Sequence, residues 1–535
     1  MYKTSVILLL ITFVCPIFAS SDVVKVVSYD KKEVSLKWSL NNSDLQITKS
    51  PLETPFLFKD LEISGWHVSK SVGIAALPFK SFLIEGSPDE FNIDLLAKEV
   101  SIVDGVVPAP AQKKPCRCDV VPWKFSADYD DRYYNQIGLQ HLKVELVGTF
   151  KGTSITKVSI YPIAYNHSDG TRFVTQGEVV IKAKSSTIKS FKMEAKDKNY
   201  NIFSPRRYKS TVQALINLRR NQGYNVNFIA LEDMGHDSIG IKEFIHSLYK
   251  SKPFSYALII GHEEEFPTEY VPTQFDRRTP SDMKYYTMDG PNDVIPDVLY
   301  GRLSVSSNEE LQTVIEKTIE FETRSWEHLE GSAEMIAIAS DEGSAPDDIE
   351  YVRDMQRPLS EKFNWKSNEF FQANEDGNAD SIVSRFDGGS IWLNYIGHGT
   401  GFEWPSVYGR EFTVRDIASI QSGQVKPVII DVACQNGRFS NEGRMGEAFI
   451  RGGENESGAV AYFGGSVDIS WDPPAIMAIG INKAVSENNN RRLIDVVFEG
   501  QSYLLESLDD REAALENLVW YHLQGDPLLD LSKLK

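Results

Sequence analysis

The chain has 535 residues, too many for one hydrophobic core, so two to four domains are expected. Its 41% hydrophobic and 24% charged residues are the proportions of an ordinary globular protein, and a net charge of −19 argues against nucleic acid or an anionic membrane surface as partner. Four cysteines make no disulfide framework, and no run after the N-terminus is apolar enough to span a bilayer.

Residues 1–19 combine Lys3, an apolar run from Val6 to Val14 and small residues up to Ala19, the anatomy of a signal peptide, and Cys15 lacks the small residues of a lipoprotein box. The protein is therefore expected to be secreted or periplasmic. Over 20–190, short stretches such as "EVSLKWSL", "HLKVELVGTF" and "GEVVIKAKSS" alternate and are rich in Val, Ile and Thr, which predicts an all-β domain. The stretch 191–200, with Lys192, Lys196 and Lys198, reads as a cleavable linker. Beyond it the period changes to helices alternating with continuous apolar strands. That predicts an α/β, largely parallel sheet in two subdomains, 201–330 and 331–535.

Three strands in the last part run into chemically loaded turns. "MIAIAS" leads to Asp341-Glu342-Gly343, "SIWLNYI" to Gly397-His398-Gly399, and "PVIIDVA" to Cys434-Gln435-Asn436-Gly437. Ligand sites of open α/β sheets collect beyond the carboxyl ends of the strands. If these three are neighbours, a carboxylate, an imidazole and a thiol converge. A thiol must ionise to attack a carbonyl, an imidazole can take its proton, and a carboxylate behind the imidazole orients it. The glycines around His398 let backbone N–H groups approach an oxyanion. Singly, Cys434 reads as a small core residue, His398 as a turn residue and Glu342 as a solvated acid. Their coincidence at matched strand ends points to a cysteine hydrolase.

"NYIGHGT", followed 36 residues after its histidine by the cysteine of "IDVACQNGRF", resembles the gingipain-type cysteine peptidases, relatives of caspases and legumains. The resemblance covers about residues 200–535 and includes "PDVLYGRLSV", "ASDEG" and "GDPLLDL". It implies a caspase- or gingipain-like, mostly parallel sheet flanked by helices and preceded by a β-rich prodomain. The implied function is a secreted cysteine endopeptidase made as a zymogen, acting on proteins or peptides through a thioester. Cys434 would be the nucleophile, His398 the general base and acid, Glu342 the acid contacting it, and the N–H groups of Gly399 and Cys434 the oxyanion hole. Asp348, shortly after the "EG" acid, matches the residue that holds an arginine side chain in arginine-specific members, with Trp471 as its lid. Cleavage after Arg, with Lys second, is the expectation; equally, acids after Pro346 suit a helix start.

No cofactor is required for this chemistry. The resemblance implies a structural calcium, for which Asp289, Asp293 and Asp297 offer oxygen ligands without EF-hand spacing. His262 and Glu263 to Glu265 stand where the family has an aspartate and read better as a solvated acidic loop than as a metal cluster. The chain reads to "GDPLLDLSKLK" without the immunoglobulin-like module or secretion tail of large members, in keeping with ordinary signal-peptide export.

Prodomains of this family insert a basic side chain into the specificity pocket, and "AQKKPCRCD" offers Lys114 or Arg117 for that role, making the protein's own prodomain an inhibitory partner. Its cysteines, Cys116 and Cys118, are open to pairing with each other, to staying reduced, or to approaching Cys434; a plain surface loop is the competing reading. Two other functions share the scaffold: a sortase-like transpeptidase, in which an amine resolves the acyl-enzyme, and a catalytically inactive binding protein. Retention of Glu342, His398 and Cys434 together argues against the latter.

Overall fold

The computed structural model describes residues 24–52, 58–118, 140–166, 168–325, 328–344, 346–421, 425–440, 443–452, 457–487 and 492–534. The signal-peptide reading falls outside them. The chain forms two compact units: one of residues up to Phe191, the other from Lys192 onward, and the latter also takes in the described residues of 112–126 and the stretch 148–153.

The first unit is all-β, as expected. Its five-stranded sheet runs Val24–Asp30, Glu33–Ser39, Gly170–Ala183 and Ile163–Asn166, with Phe91–Val103 also paired to the long 170–183 strand. A three-stranded sheet (Leu45–Lys49, Phe58–Ile63, Val107–Pro108) and a four-stranded one complete the β-structure. Alternation along Glu33–Ser39 sends Val34, Leu36 and Trp38 into a core shared with Phe79, Ile160, Phe173 and Val179. The Trp38 indole lies flat over Gly177, where even a methyl group would sit 2.0 Å from the ring, and its N–H donates to the Val174 carbonyl at 3.0 Å.

The second unit is built on ten strands: β1 Asn199–Ser204, β2 Asn225–Ala230, β3 Tyr256–Ile260, β4 Leu299–Leu303, β5 Glu334–Ala339, β6 Lys366–Phe371, β7 Trp392–Ile396, β8 Val428–Val432, β9 Ala461–Gly465 and β10 Tyr521–Gln524. Their order is β2-β1-β3-β4-β10-β9-β8-β7-β5-β6. Every pairing is parallel except β9 with β10. The sheet is therefore two parallel sets running opposite ways and joined at one antiparallel seam. The first set holds the strands up to Leu303 together with β10 from the far end of the chain, and the second holds those from Glu334 to Gly465. The continuous burial of β3, β4, β7, β8 and β9 matches their largely apolar runs, with Arg302, Asn394 and Asp431 as buried polar exceptions. The stretch 191–200 is not a linker throughout, because β1 begins at Asn199 and Tyr200 is fully buried.

Candidate active site

The strands β8, β7 and β5 are consecutive neighbours with Val432, Ile396 and Ala339 in register, so the three loaded turns leave the sheet side by side. His398 Nε2 lies 2.9 Å from Glu342 Oε2. Its backbone is pinned on both sides: the N–H donates to Ser406 Oγ at 2.9 Å, and the carbonyl accepts the Tyr395 hydroxyl at 2.7 Å. The other ring nitrogen, Nδ1, donates to the carbonyl oxygen of Arg117. With an acceptor at each ring nitrogen, the charged imidazolium is the favoured form. Its pKa is accordingly raised, chiefly by the Glu342 hydrogen bond, and that bond lowers the pKa of Glu342.

Cys434 is fully buried and is the one free cysteine among the described residues. Burial pushes its thiol up to about 12, although Sγ accepts the Ile469 N–H at 3.4 Å. A thiol kept neutral in this way is a poor nucleophile. The next residue, Gln435, has φ of 60°, a left-handed conformation costly for a side chain, held by Gln435 N donating to Val467 O at 3.0 Å. Gly399 must be glycine: a first side-chain carbon there would sit 2.4 Å from the Cys434 carbonyl oxygen and 2.9 Å from Asn436 Nδ2. Among the described residues, the N–H groups of Gly399 and Cys434 have no acceptor, as an oxyanion site needs.

Two residues not singled out in the sequence tie these turns together. Asn436 accepts the Gly401 N–H at 2.8 Å and donates to Asp431 Oδ2 at 3.1 Å. Asp431, in the middle of a buried strand, also accepts the Trp404 indole N–H at 3.0 Å and the Tyr462 hydroxyl. Burial pushes its carboxyl up to about 6. The signal was visible: a lone acid in the apolar run "PVIIDVA" must have partners.

Asp348 and Trp471 meet around one side chain, that of Arg117. Asp347 caps the helix α1, Asp348–Phe363, by accepting the Glu350 N–H at 2.7 Å, and so takes the helix-start role and leaves Asp348 to face inward. Asp348 is fully buried, accepts Ser340 Oγ at 2.7 Å, and grips the Arg117 guanidinium through both oxygens at 2.8 and 2.9 Å. Trp471 contributes twice: its carbonyl accepts Nε and Nη2 of Arg117 at 3.2 and 3.0 Å, and its ring lies 4.4 Å from the guanidinium carbon. The Arg117 N–H donates to Ile469 O at 3.0 Å, and Cys116 bridges antiparallel to Ser470. Cys116 and Arg117 thus lie against 469–471 through one bridge and one backbone hydrogen bond, with the arginine side chain on Asp348 and its carbonyl beside the imidazole. Lys114 does not enter this pocket; its ammonium goes to Asp472 at 2.7 Å. Cys116 and Cys118 form a disulfide with each other and not with Cys434.

Asp289, Asp293 and Asp297 offer oxygens within 4.8 Å of one another. Asp289 accepts the Gly152 N–H at 2.9 Å, Asp293 that of Ile295 at 3.1 Å, and Asp297 that of Met288 at 2.8 Å. Burial drives Asp297 up to about 7 and raises Asp293, with the neighbouring acids adding to both. Three hard oxygen donors crowded this way fit a divalent cation. His262 follows β3, which belongs to the first parallel set, whereas Cys434 follows β8 of the oppositely running one. His262 is buried with Nε2 3.7 Å from Glu447, while Glu265 pairs with Arg207 at 2.6 Å and Glu263 accepts Tyr270 at 3.1 Å. These side chains take separate partners, and the histidine is buried, not solvated.

The model of peptidase family C25 matches residues 194–532. Gingipain R2 of Porphyromonas gingivalis (strain ATCC BAA-308 / W83) is 25% identical over 346 residues, covering 61% of this chain and 45% of that protein. Lys-gingipain W83 of the same species is 20% identical over 458 residues, covering 77% of this chain and 25% of that protein. The chain thus spans less than half the length of either. Among solved structures, the arginine-specific cysteine proteinase gingipain R aligns with a TM-score of 0.57 and 23% identity, covering 64% of this chain and 80% of that one. The complex of the pro- and mature domains of Porphyromonas gingivalis RgpB also aligns at 0.57 and 23% identity, covering 62% and 79%. These two likenesses are of fold.

Proposed function

The chain belongs to peptidase family C25 and has the fold of a cysteine-type peptidase, and from this premise we propose that it is an exported endopeptidase that cuts after arginine and is made latent by Arg117. One observation carries the reading: a buried arginine, held by both oxygens of Asp348 under Trp471, has its carbonyl against His398. Asp348 and Trp471 act as the pocket for the side chain before the cut bond, and a planar guanidinium fills the carboxylate fork better than the single ammonium of lysine. Proteins and peptides exposing arginine are the substrates.

Catalysis begins when the Arg117 carbonyl leaves Nδ1 and His398 can act as a base. Cys434 then transfers its proton to the imidazole and attacks the substrate carbonyl, whose oxygen accepts the Gly399 and Cys434 N–H groups. The imidazolium hands that proton to the leaving amine, which departs and leaves a thioester. Water, deprotonated by the same imidazole, attacks the thioester; the acid is released and the thiol re-forms. Glu342 keeps the ring oriented and supports its charged form. In the latent form the Arg117 carbonyl points to the histidine and not to the two free N–H groups, so its own bond is not activated. Export rests on the signal-peptide reading of residues 1–19.

Arginyl, lysyl, asparaginyl and leucyl fluorogenic peptides offered to the activated enzyme will test the pocket. Arginine is expected to lead, and Asp348→Asn is expected to lower kcat/KM for it by roughly a hundred- to a thousand-fold, since breaking a buried pair costs about 3–5 kcal/mol. Equal turnover of leucyl peptides would remove the pocket from the reading. A coupled amide product on addition of an amine acceptor would favour the transpeptidase instead.

Asp289, Asp293 and Asp297 would hold a calcium ion that braces the turn before β4 without taking part in the chemistry. Calcium at a hundredfold excess over its Kd is expected to add about 2.7 kcal/mol of stability. A rise in Tm that a chelator reverses and Asp297→Asn abolishes is the expected result; an unchanged Tm would dismiss the ion from this cluster.

A further inference from the structure

Arg117 is not the only cation that its stretch of chain delivers to a buried acid. Lys114, three residues earlier, donates from Nζ to Asp472 Oδ1 at 2.7 Å and to the Ser344 carbonyl at 3.3 Å. The same carboxylate oxygen accepts the Tyr351 hydroxyl at 2.8 Å. Asp472 is 6% exposed, so this is a built socket and not a solvated surface pair. Its walls are also those of the arginine pocket. Asp472 directly follows Trp471 and begins the helix α2, Asp472–Glu487. Tyr351 stands one turn after Asp348 on α1, and Ser344 lies in the turn between Glu342 and that helix.

We infer that Asp472, with the Ser344 carbonyl and the Tyr351 hydroxyl, forms a second specificity site, one that selects a cationic side chain three residues before the cleaved arginine. The inference rests on the reading of Arg117 as occupying the substrate's arginine position. Given that reading, Lys114 marks where the fourth residue before the cut bond goes, and Pro115 between the two cations favours an extended chain that keeps the spacing. When the inhibitory stretch leaves, Asp472 gives up the Lys114 ammonium while the Tyr351 hydroxyl stays. A buried carboxylate so placed favours a substrate that returns a positive charge, is indifferent at best to an apolar one, and opposes an acid. Substrates are then peptides with two basic residues separated by two others.

The test uses activated enzyme and three fluorogenic peptides, Lys-Pro-Ala-Arg, Ala-Pro-Ala-Arg and Glu-Pro-Ala-Arg. The kcat/KM of the lysine peptide is expected to exceed that of the alanine peptide by roughly tenfold, with the glutamate peptide slowest. In Asp472→Asn the lysine-to-alanine ratio is expected to fall toward one. Arginine cleavage at equal rates for all three would overturn the second site, leave the arginine pocket standing, and reduce the Lys114–Asp472 pair to a clasp of the latent form. No cleavage after arginine would count against the pocket itself. The same peptides titrated calorimetrically into Cys434→Ala protein then decide the second site, and equal affinities would overturn it. Should Asp472→Asn fail to fold, the peptide series on the unaltered enzyme remains decisive.

Discussion

Replacing Cys434 by alanine is expected to abolish hydrolysis of arginyl peptides, with a loss on the order of a million-fold in kcat and a residue of activity from binding and the oxyanion N–H groups. The fold should survive, because the side chain is small, fully buried and held by one weak hydrogen bond, from Ile469 N at 3.4 Å. His398→Ala is expected to cost nearly as much. The double variant should be no worse than either alone, because thiol and imidazole act as one unit and the second loss removes nothing that still works. Kinetics on the three proteins, with intact folding checked by circular dichroism, measures this. Full additivity of the two losses would mean that the residues do not share a step, and wild-type turnover by Cys434→Ala would move the nucleophile elsewhere.

The second large effect is on latency. Arg117→Ala is expected to raise the activity of the uncleaved precursor by roughly a hundred- to a thousand-fold, because removing one partner of a buried ion pair costs about 3–5 kcal/mol and that cost falls on the closed form alone. On the proposed reading the closed form is silent for three reasons that end together: Arg117 occupies Asp348, its carbonyl accepts from His398 Nδ1, and the thiol stays buried and pushed up to about 12. Alkylation of Cys434 by iodoacetamide should therefore be slow in the precursor and fast in Arg117→Ala, a readout independent of peptide turnover. Arg117→Lys should fall between them, since one ammonium cannot span the carboxylate fork. Unchanged latency and unchanged alkylation in Arg117→Ala would mean that another segment closes the site.

Much of this was legible in the sequence, and for a local reason. Largely apolar runs ending in Gly-His-Gly, Asp-Glu-Gly and Cys-Gln-Asn state both that a strand ends and that chemistry begins there, since period and turn residues are properties of neighbours along the chain. Asp348 could be proposed from a helix start and a resemblance, yet only its fully buried position, with Asp347 taking over the cap, separates a pocket acid from a capping one. The choice between Lys114 and Arg117, and the pairing of Cys116 with Cys118, could not be read, because each depends on which partner lies within reach after folding. Asp472 was passed over beside the conspicuous Trp471 for the same reason: its meaning is the Lys114 ammonium, 358 positions away in the chain.

By itself, then, the sequence determined the element types, the β-rich region ahead of an α/β region, and the residues with the reactivity for acyl transfer. Only the tertiary structure decided that β5, β7 and β8 are adjacent, that β10 returns to close the seam between two oppositely running sets, and that Asp431 and Asn436 tie the cysteine turn to the histidine turn. It also decided which acid Arg117 meets, one 231 positions further along. Backbone periodicity and turn chemistry are set by residues a few positions apart. The pairing of buried charges is set by which strands become neighbours, and that is settled when the whole unit buries its apolar surface at once.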